Sequence, residues 1–208
     1  MANGLSENTF VEPNSEDRAA VDLEERNPTF RSMDESTEQQ WREIGRQTRD
    51  NQSRTPIAIL EMLRSLISVV DGFAIDQLGH SLQTATRAER GGADEEMVVA
   101  SLCHDIGKAI SVANHPRIAA EILRPYVSDE VYKVILTHQD FQGRHYYRYF
   151  GLNPESRSQY SAEPWFELGE KFADEWDQTS FDPDYSTESL EHFEPMVMRV
   201  FARPKAMI

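Results

Sequence analysis

Apolar residues recur at three- and four-residue spacings through most of the chain, and this pattern restricts its fold more than any other feature. Residues at these spacings share one face of an α-helix. Two stripes of this kind are Ile57, Leu60, Leu63, Ile67 and Val70, and then Leu78, Leu82, Ala85 and Ala88. No segment shows a convincing strand pattern. The sequence therefore predicts an all-α fold.

Capping residues divide the chain into helices. Ser, Thr and Asp favour the position before a helix, and Pro favours its first turn. We expect helix starts at the capping-box pattern Ser36–Gln39, at Thr55-Pro56, Asp76, Asp94, His115-Pro116, Ser128 and Glu163-Pro164, with a last short helix after Pro195. Asp71-Gly72 and Gly91-Gly92 are expected to end helices.

The length of 208 residues suits one domain with an appendage. Residues 1–35 are polar and acidic and include two prolines. We interpret them as a flexible or extended N-terminal arm. Residues 36–208 would then form a single helical domain.

Charge and composition exclude several functions. The net charge of −15 disfavours a nucleic-acid partner, which needs a basic surface. No apolar run approaches the roughly 20 residues of a membrane span, and the N-terminus has no signal-peptide pattern. The single cysteine, Cys103, excludes an intrachain disulfide. We therefore expect a cytoplasmic protein with no membrane partner.

His104 and Asp105 stand side by side in the segment Ser101-Leu-Cys-His-Asp-Ile-Gly-Lys108. Neighbouring residues cannot both face one side of an ideal helix. If the helix unwinds at Gly107, both side chains can turn inward. An imidazole nitrogen and a carboxylate oxygen are then available to a divalent metal.

Further candidate ligands flank this pair. They are His80, His115, His138 and Asp177. Asp174, one helical turn before Asp177, is an alternative to it. Four imidazoles and two carboxylates exceed what one metal needs, and a bridging carboxylate would suit two metals roughly 3.5–4 Å apart. The mixed nitrogen and oxygen set favours iron, with manganese or zinc as alternatives.

In its order of ligands the sequence resembles the HD-domain superfamily. The resemblance covers roughly residues 57–200 and depends on His80, His104-Asp105-Ile-Gly-Lys108, His115, His138 and Asp177. It implies a helical bundle. The six-ligand order is similar to the di-iron branch, which includes myo-inositol oxygenase and phosphonate-cleaving oxygenases. In that branch two irons of mixed valence bind a substrate and O2.

Some positions differ from that branch. Both oxygenase types carry a lysine where this chain has Phe181. The phosphonate enzymes also have a lysine at Gln142, and a Tyr and a Glu at Val70 and Phe73. Lys108 matches a substrate-contacting lysine of myo-inositol oxygenase, which implies a catalytic role for it. The replacements at Val70, Phe73, Gln142 and Phe181 imply a less anionic or more apolar substrate than a phosphonate.

Three functions are compatible with these residues. The favoured one is a di-iron oxygenase that activates O2 and abstracts hydrogen from a C–H bond of a small hydroxylated substrate. The alternative is a metal-dependent phosphohydrolase acting on a phosphate ester or nucleotide. The third is a non-catalytic binding module with a vestigial site, although a complete ligand set argues against it.

Overall fold

The computed structural model describes residues 30–70 and 72–205. The chain divides into two units, Met1–Arg49 and Asp50–Ile208, which are described separately. Residues 1–29 of the predicted arm lie outside the described residues. The division at residue 35 therefore stays a prediction.

In the first unit, a 3-10 turn at Met33–Glu35 precedes helix α1 (Glu38–Gln52). The capping box lies one residue later than predicted. The Thr37 N–H donates to Gln40 Oε1 at 2.9 Å, and the Gln40 N–H donates to Thr37 Oγ1 at 3.4 Å. The Ser36 hydroxyl instead accepts the Trp41 Nε1–H at 2.7 Å and donates to the Met33 carbonyl in the preceding turn.

The described part of the second unit is also helical. Its α-helices are α2 (Thr55–Ser65), α3 (Gln77–Arg90), α4 (Glu95–Cys103), α5 (His115–Leu123), α6 (Asp129–Tyr146), α7 (Phe166–Lys171) and α8 (Leu190–Val200). Shorter 3-10 turns span Leu66–Ser68, Ile106–Ala109, Val112–Asn114, Tyr147–Phe150 and Ser156–Tyr160, and a π-helical turn spans Phe172–Asp177. No strand occurs among the described residues, so the all-α prediction is confirmed.

Helix α2 buries a different stripe from the predicted one. Its buried apolar face consists of Ile59, Leu60, Leu63 and, just beyond the helix, Leu66. Ile57, Ile67 and Val70 are at least half exposed. The prediction was wrong at these positions. For Ile67 and Val70 the reason is that α2 ends at Ser65 and tightens into a 3-10 turn. The tighter turn moves later residues off the α-helical face.

The predicted aspartate caps are confirmed. Asp76 accepts a hydrogen bond from the Gly79 N–H, and Asp94 accepts one from the Met97 N–H. The predicted cap at Thr55 was wrong, since Thr55 is already helical and Arg54 precedes the helix. Pro56 in the first turn makes this start possible, because the N–H that proline lacks has no partner there.

Two later helices also differ from the prediction. Helix α7 begins at Phe166, after Glu163-Pro164. Helix α8 begins at Leu190 and contains Pro195, which was expected to precede it. Ser189 adopts the extended backbone of an N-cap, so Pro195 lies in the second turn.

The helices of the second unit pack in pairs. Helix α3 packs on α4, and α5 packs on α6. The π-helical turn contacts both α3 and α6, while α8 contacts α2 and α4. Large side chains such as Leu63, Leu102, Ile135, Phe172 and Phe193 are fully buried between them. None of the helices in the described part of the chain has the length and apolar character that crossing a bilayer requires.

Candidate metal centre

His104 and Asp105 lie at the junction where α4 ends. The helix stops at Cys103, and the Asp105 backbone (φ −102°, ψ 6°) leaves the helical region before the 3-10 turn Ile106–Ala109. The chain therefore unwinds at the pair itself, slightly earlier than predicted. This change of direction brings two neighbouring side chains to the same side.

Gly107 has another role than the predicted unwinding. A methyl group at this position would overlap the His115 carbonyl oxygen and lie 2.8 Å from the His115 Cα. The turn after Asp105 can therefore approach the start of α5 only because residue 107 has no side chain. This close approach brings His115 within reach of Asp105.

The structure brings all six predicted ligands together in the interior. They come from α3 (His80), the end of α4 (His104 and Asp105), the start of α5 (His115), α6 (His138) and the π-helical turn (Asp177). Each of these residues is at least 90% buried. Two groups of three have ligand atoms within 4.8 Å of one another: His80, His104 and Asp177, and then His104, Asp105 and His138.

The two oxygens of Asp105 face different histidines. Oδ2 lies 3.6 Å from His80 Nε2 and 3.5 Å from His104 Nε2. Oδ1 lies 3.1 Å from His115 Nε2 and 3.6 Å from His138 Nε2. One carboxylate thus stands between two pairs of imidazoles, which is the arrangement of a bridging ligand.

Asp177 belongs to the first of these pairs. Its Oδ1 lies 3.2 Å from His80 Nε2 and 3.5 Å from His104 Nε2. The π-helical turn carries it there, and π turns add a residue to a helical turn and often occur at functional sites. Asp174, the alternative, instead contacts Arg157 at 3.0 Å and His145 at 3.0 Å.

All four imidazoles are oriented through their other nitrogen. The Nδ1–H of His104, His115 and His138 donates to the carbonyl three residues earlier, at 2.7–2.8 Å. The Nδ1–H of His80 donates to the Ser180 carbonyl at 2.8 Å. A carbonyl can only accept, so the proton of each neutral ring is on Nδ1. Each Nε2 then points a lone pair into the cluster, as in metal-ligating histidines.

The inward-facing nitrogen and oxygen atoms of the cluster lack partners that a divalent metal could supply. The Nε2 atoms of His80 and His104 are only 3.0 Å apart, so two lone pairs face each other unless a proton or a metal cation lies between them. Asp105 Oδ1 and Asp177 Oδ1 are buried and accept no hydrogen bond within the described structure. Buried polar atoms without partners are rare and costly in folded proteins.

The electrostatics of the cluster also favour a cation. Burial would raise the pKa of Asp105 and Asp177, but the neighbouring histidines hold both values below the ordinary one, so both side chains are ionised. Burial would lower the pKa of His104, but the two carboxylates raise it to about 9. A proton on His104 offsets part of the negative charge, and a divalent cation would offset more of it.

The two sides of the cluster differ in exposure. The side chains of His80, His104, Asp177 and His138 are at most 1% exposed, whereas His115 is 8% exposed. Lys108 is 13% exposed, and its Nζ lies 2.8 Å from Asp105 Oδ2 and 3.0 Å from Gln77 Oε1. Solvent therefore reaches the side with His115 and Lys108.

Aromatic rings cover the opposite side. Phe181 stacks on the His80 ring with 4.2 Å between centroids, and Phe73 stacks on Phe181 at 4.3 Å. Phe172 contacts the His104 ring edge-on at 5.5 Å. Gln142 donates to Asp177 Oδ2 at 2.9 Å. The two positions that are lysines in the similar oxygenases are therefore occupied here by an aromatic ring, Phe181, and a neutral amide, Gln142.

Two other histidines and the cysteine lie apart from this cluster in their contacts. His145 pairs with Asp174, and His192 pairs with Glu89 at 2.9 Å. Cys103 is fully buried, and burial raises the pKa of its thiol to about 12. His145 and His192 thus pair with carboxylates other than Asp105 and Asp177, and Cys103 is a buried thiol.

Sequence reasoning missed the residues that orient the ligands. Gln77 accepts a hydrogen bond from Lys108, and the Ser180 carbonyl accepts one from His80. Gln83 donates to the carbonyl of Asp182, two residues after Ser180. Gln77 and Gln83 are three residues before and after His80, and both are buried. Glutamines at helical spacing from a candidate ligand are the signal that was available in the sequence.

A family model described as HD domain matches residues 78–182. This segment is just over half of the chain and contains all six candidate ligands and Lys108. A search among curated proteins finds no match.

Proposed function

Because the chain belongs to the HD-domain family of metal-dependent enzymes, we propose that it is a di-iron oxygenase acting on a small hydroxylated substrate. The position of Asp105 is the observation that supports two metals rather than one. Its Oδ2 faces His80 and His104. Its Oδ1 faces His115 and His138. A carboxylate shared in this way suits a pair of metals.

The residues assign different roles to the two metal positions. His80, His104, Asp177 and Asp105 Oδ2 would hold the first metal, and His115, His138 and Asp105 Oδ1 would hold the second. The second position has fewer protein ligands and lies on the exposed side. A catalytic metal site keeps open positions for its substrate, so we assign substrate binding to the second position. Bound iron would supply Lewis acidity toward a substrate hydroxyl and a redox couple for O2 activation.

Lys108 lies beside the Asp105 oxygen that we assign to the first metal, and its partial exposure would let it contact a substrate bound at the neighbouring second position. Its ammonium group contacts Asp105 Oδ2 and Gln77 Oε1, so its position is fixed before a substrate arrives. It can donate a hydrogen bond to a substrate oxygen and stabilise negative charge that develops there. Preorganised donors of this kind need little rearrangement during the reaction.

The charges around the site favour an oxygenase over a phosphohydrolase. A phosphate ester needs several cations to balance its charge. Arg144 lies 3.6 Å from Asp174, and Arg157 pairs with both Asp174 and Glu170 at 3.0 Å. Carboxylates therefore already balance these arginines.

Parallel assays with two metals test the proposal. The iron-loaded protein is supplied with O2 and a panel of polyols and hydroxy acids, and O2 uptake is recorded with an electrode. The manganese-loaded protein is supplied with nucleotides and p-nitrophenyl phosphate, and phosphate release is recorded.

We expect O2 uptake with at least one hydroxylated compound, lost in His104→Ala and retained in His192→Ala. Phosphate release that depends on His104, without O2 uptake for any compound, would overturn the oxygenase in favour of the hydrolase.

A further inference from the structure

Residues 177–182, from the last residue of the π-helical turn onward, complete the first metal position in three ways. Asp177 supplies a carboxylate oxygen 3.2 Å from His80 Nε2. The Ser180 carbonyl accepts the His80 Nδ1–H at 2.8 Å. Phe181 stacks on the face of the same ring. The position of residues 177–182 therefore determines the orientation of His80 as well as the place of its fellow ligand.

Gln83 holds this segment against α3. Its Nε2 donates to the Asp182 carbonyl at 2.6 Å, and its Oε1 accepts the Asp182 N–H at 3.2 Å. One side chain thus satisfies both backbone groups of a residue two positions after Ser180. Gln83 follows His80 by three residues on α3, so both side chains lie on the same face of the helix.

The burial of Gln83 makes these two bonds important. Only 4% of the residue is exposed, so water cannot replace a partner that is lost. Nearby, Arg87 donates to the Thr179 carbonyl at 3.1 Å. Gln83 differs from Arg87 because it bonds to Asp182, the residue next to Phe181, through both of its polar atoms.

We propose that Gln83 is a positioning residue for the first metal position. By holding Asp182, it keeps the Ser180 carbonyl in place to orient His80 and keeps Asp177 beside it. The inference depends on the metal site proposed above at His80, His104 and Asp177 and does not depend on which reaction takes place there.

Titration with Co²⁺ tests this role without an activity assay, because the visible spectrum of Co²⁺ reports its ligands. Gln83→Met keeps the length of the side chain and removes both hydrogen bonds. Gln83→Glu keeps an acceptor for the Asp182 N–H and loses the donor. Gln159→Met is the matched control, since Gln159 is exposed and donates only to the nearby Ser156 carbonyl. Leu63→Ala is a control for lost core packing.

We expect Gln83→Met to weaken binding of one Co²⁺ by about 10- to 100-fold, the usual effect of removing a residue that orients a ligand. Its spectrum should change, and Gln83→Glu should lie between it and the wild type. Gln159→Met should match the wild type, and Leu63→Ala should lower Tm while keeping both ions.

Two outcomes contradict different parts of the account. Wild-type affinities and spectra in both Gln83 variants would overturn the positioning role, even if Tm fell. A wild-type protein that binds a single Co²⁺ would contradict the two-metal centre, while loss of that ion in Gln83→Met would still support the positioning role.

Discussion

At the residue scale, the candidate site depends on a few atoms whose types could be predicted and whose distances could not. The adjacent His104 and Asp105 indicated a metal site because of their chemistry. Which oxygen of Asp105 faces which imidazole depends on the packing of four helices, which spacing along the chain does not determine. The choice between Asp174 and Asp177 was open for the same reason.

Asparagine at these two positions tests that choice. Asp177→Asn removes the charged ligand beside His80, so we expect the affinity for one metal ion to fall at least tenfold. Asp174→Asn should leave metal binding unchanged. It should destabilise the fold by about 1–2 kcal/mol, because Arg157 is buried and would keep only Glu170 as a charged partner. Calorimetric metal titration and urea unfolding measure the two effects. The reverse pattern would make Asp174 the ligand.

Cys103 gives a prediction for reactivity. Burial raises the pKa of its thiol to about 12, so the thiol stays protonated in the folded protein at pH 8. Because the thiolate is the reactive form, we expect no reaction with a disulfide reagent until the protein unfolds. The absorbance of the released thiolate, in buffer and in guanidinium chloride, measures this. Rapid reaction in buffer would show that the end of α4 is open.

At the element scale, local signals in the sequence predicted most helix starts. Asp76 and Asp94 cap α3 and α4 as expected, because an N-cap needs only neighbouring residues. The π-helical turn at Phe172–Asp177 was not predicted, since it follows from packing against α3 and α6. The buried stripe of α2 was mistaken because Leu66, rather than Ile67, faces the interior after the helix tightens.

The contact between the Ile106–Ala109 turn and α5 can be tested with one methyl group. In Gly107→Ala the new Cβ would overlap the His115 backbone, so the turn and α5 must separate. We expect a loss of about 1–3 kcal/mol in stability and weaker metal binding at the position of His115 and His138. Gly45→Ala, in the interior of α1 with ordinary contacts, is the control and should keep or increase stability. Equal behaviour of the two variants in urea unfolding and metal titration would contradict this role of Gly107.

At the scale of the whole molecule, the metal centre joins elements that are distant in sequence. Its six candidate ligands, between residues 80 and 177, come from three helices, the end of a fourth and the π-helical turn. The all-α class followed from the apolar periodicity alone. The pairing of the helices depends on long-range packing, which the periodicity does not specify.

Metal removal should therefore destabilise the described helical unit as a whole. A ligand that binds only the folded state at 100 times its Kd adds about 2.7 kcal/mol of stability per site. We expect a chelator to lower Tm by several degrees and added Fe²⁺ or Mn²⁺ to restore it. Calorimetry of the holo-protein, the chelated protein and the reconstituted protein measures this. An unchanged Tm would favour a module that does not bind a metal.

The most direct test of the two-metal centre is the iron content and EPR spectrum of protein prepared under low oxygen and then partly oxidised. The proposed di-iron centre predicts two irons per chain and a signal from a coupled mixed-valent pair, because the Asp105 carboxylate would connect the two ions. Loss of this signal in Asp105→Asn would assign the coupling to that bridge. A single iron per chain, or two ions without magnetic coupling, would contradict the account.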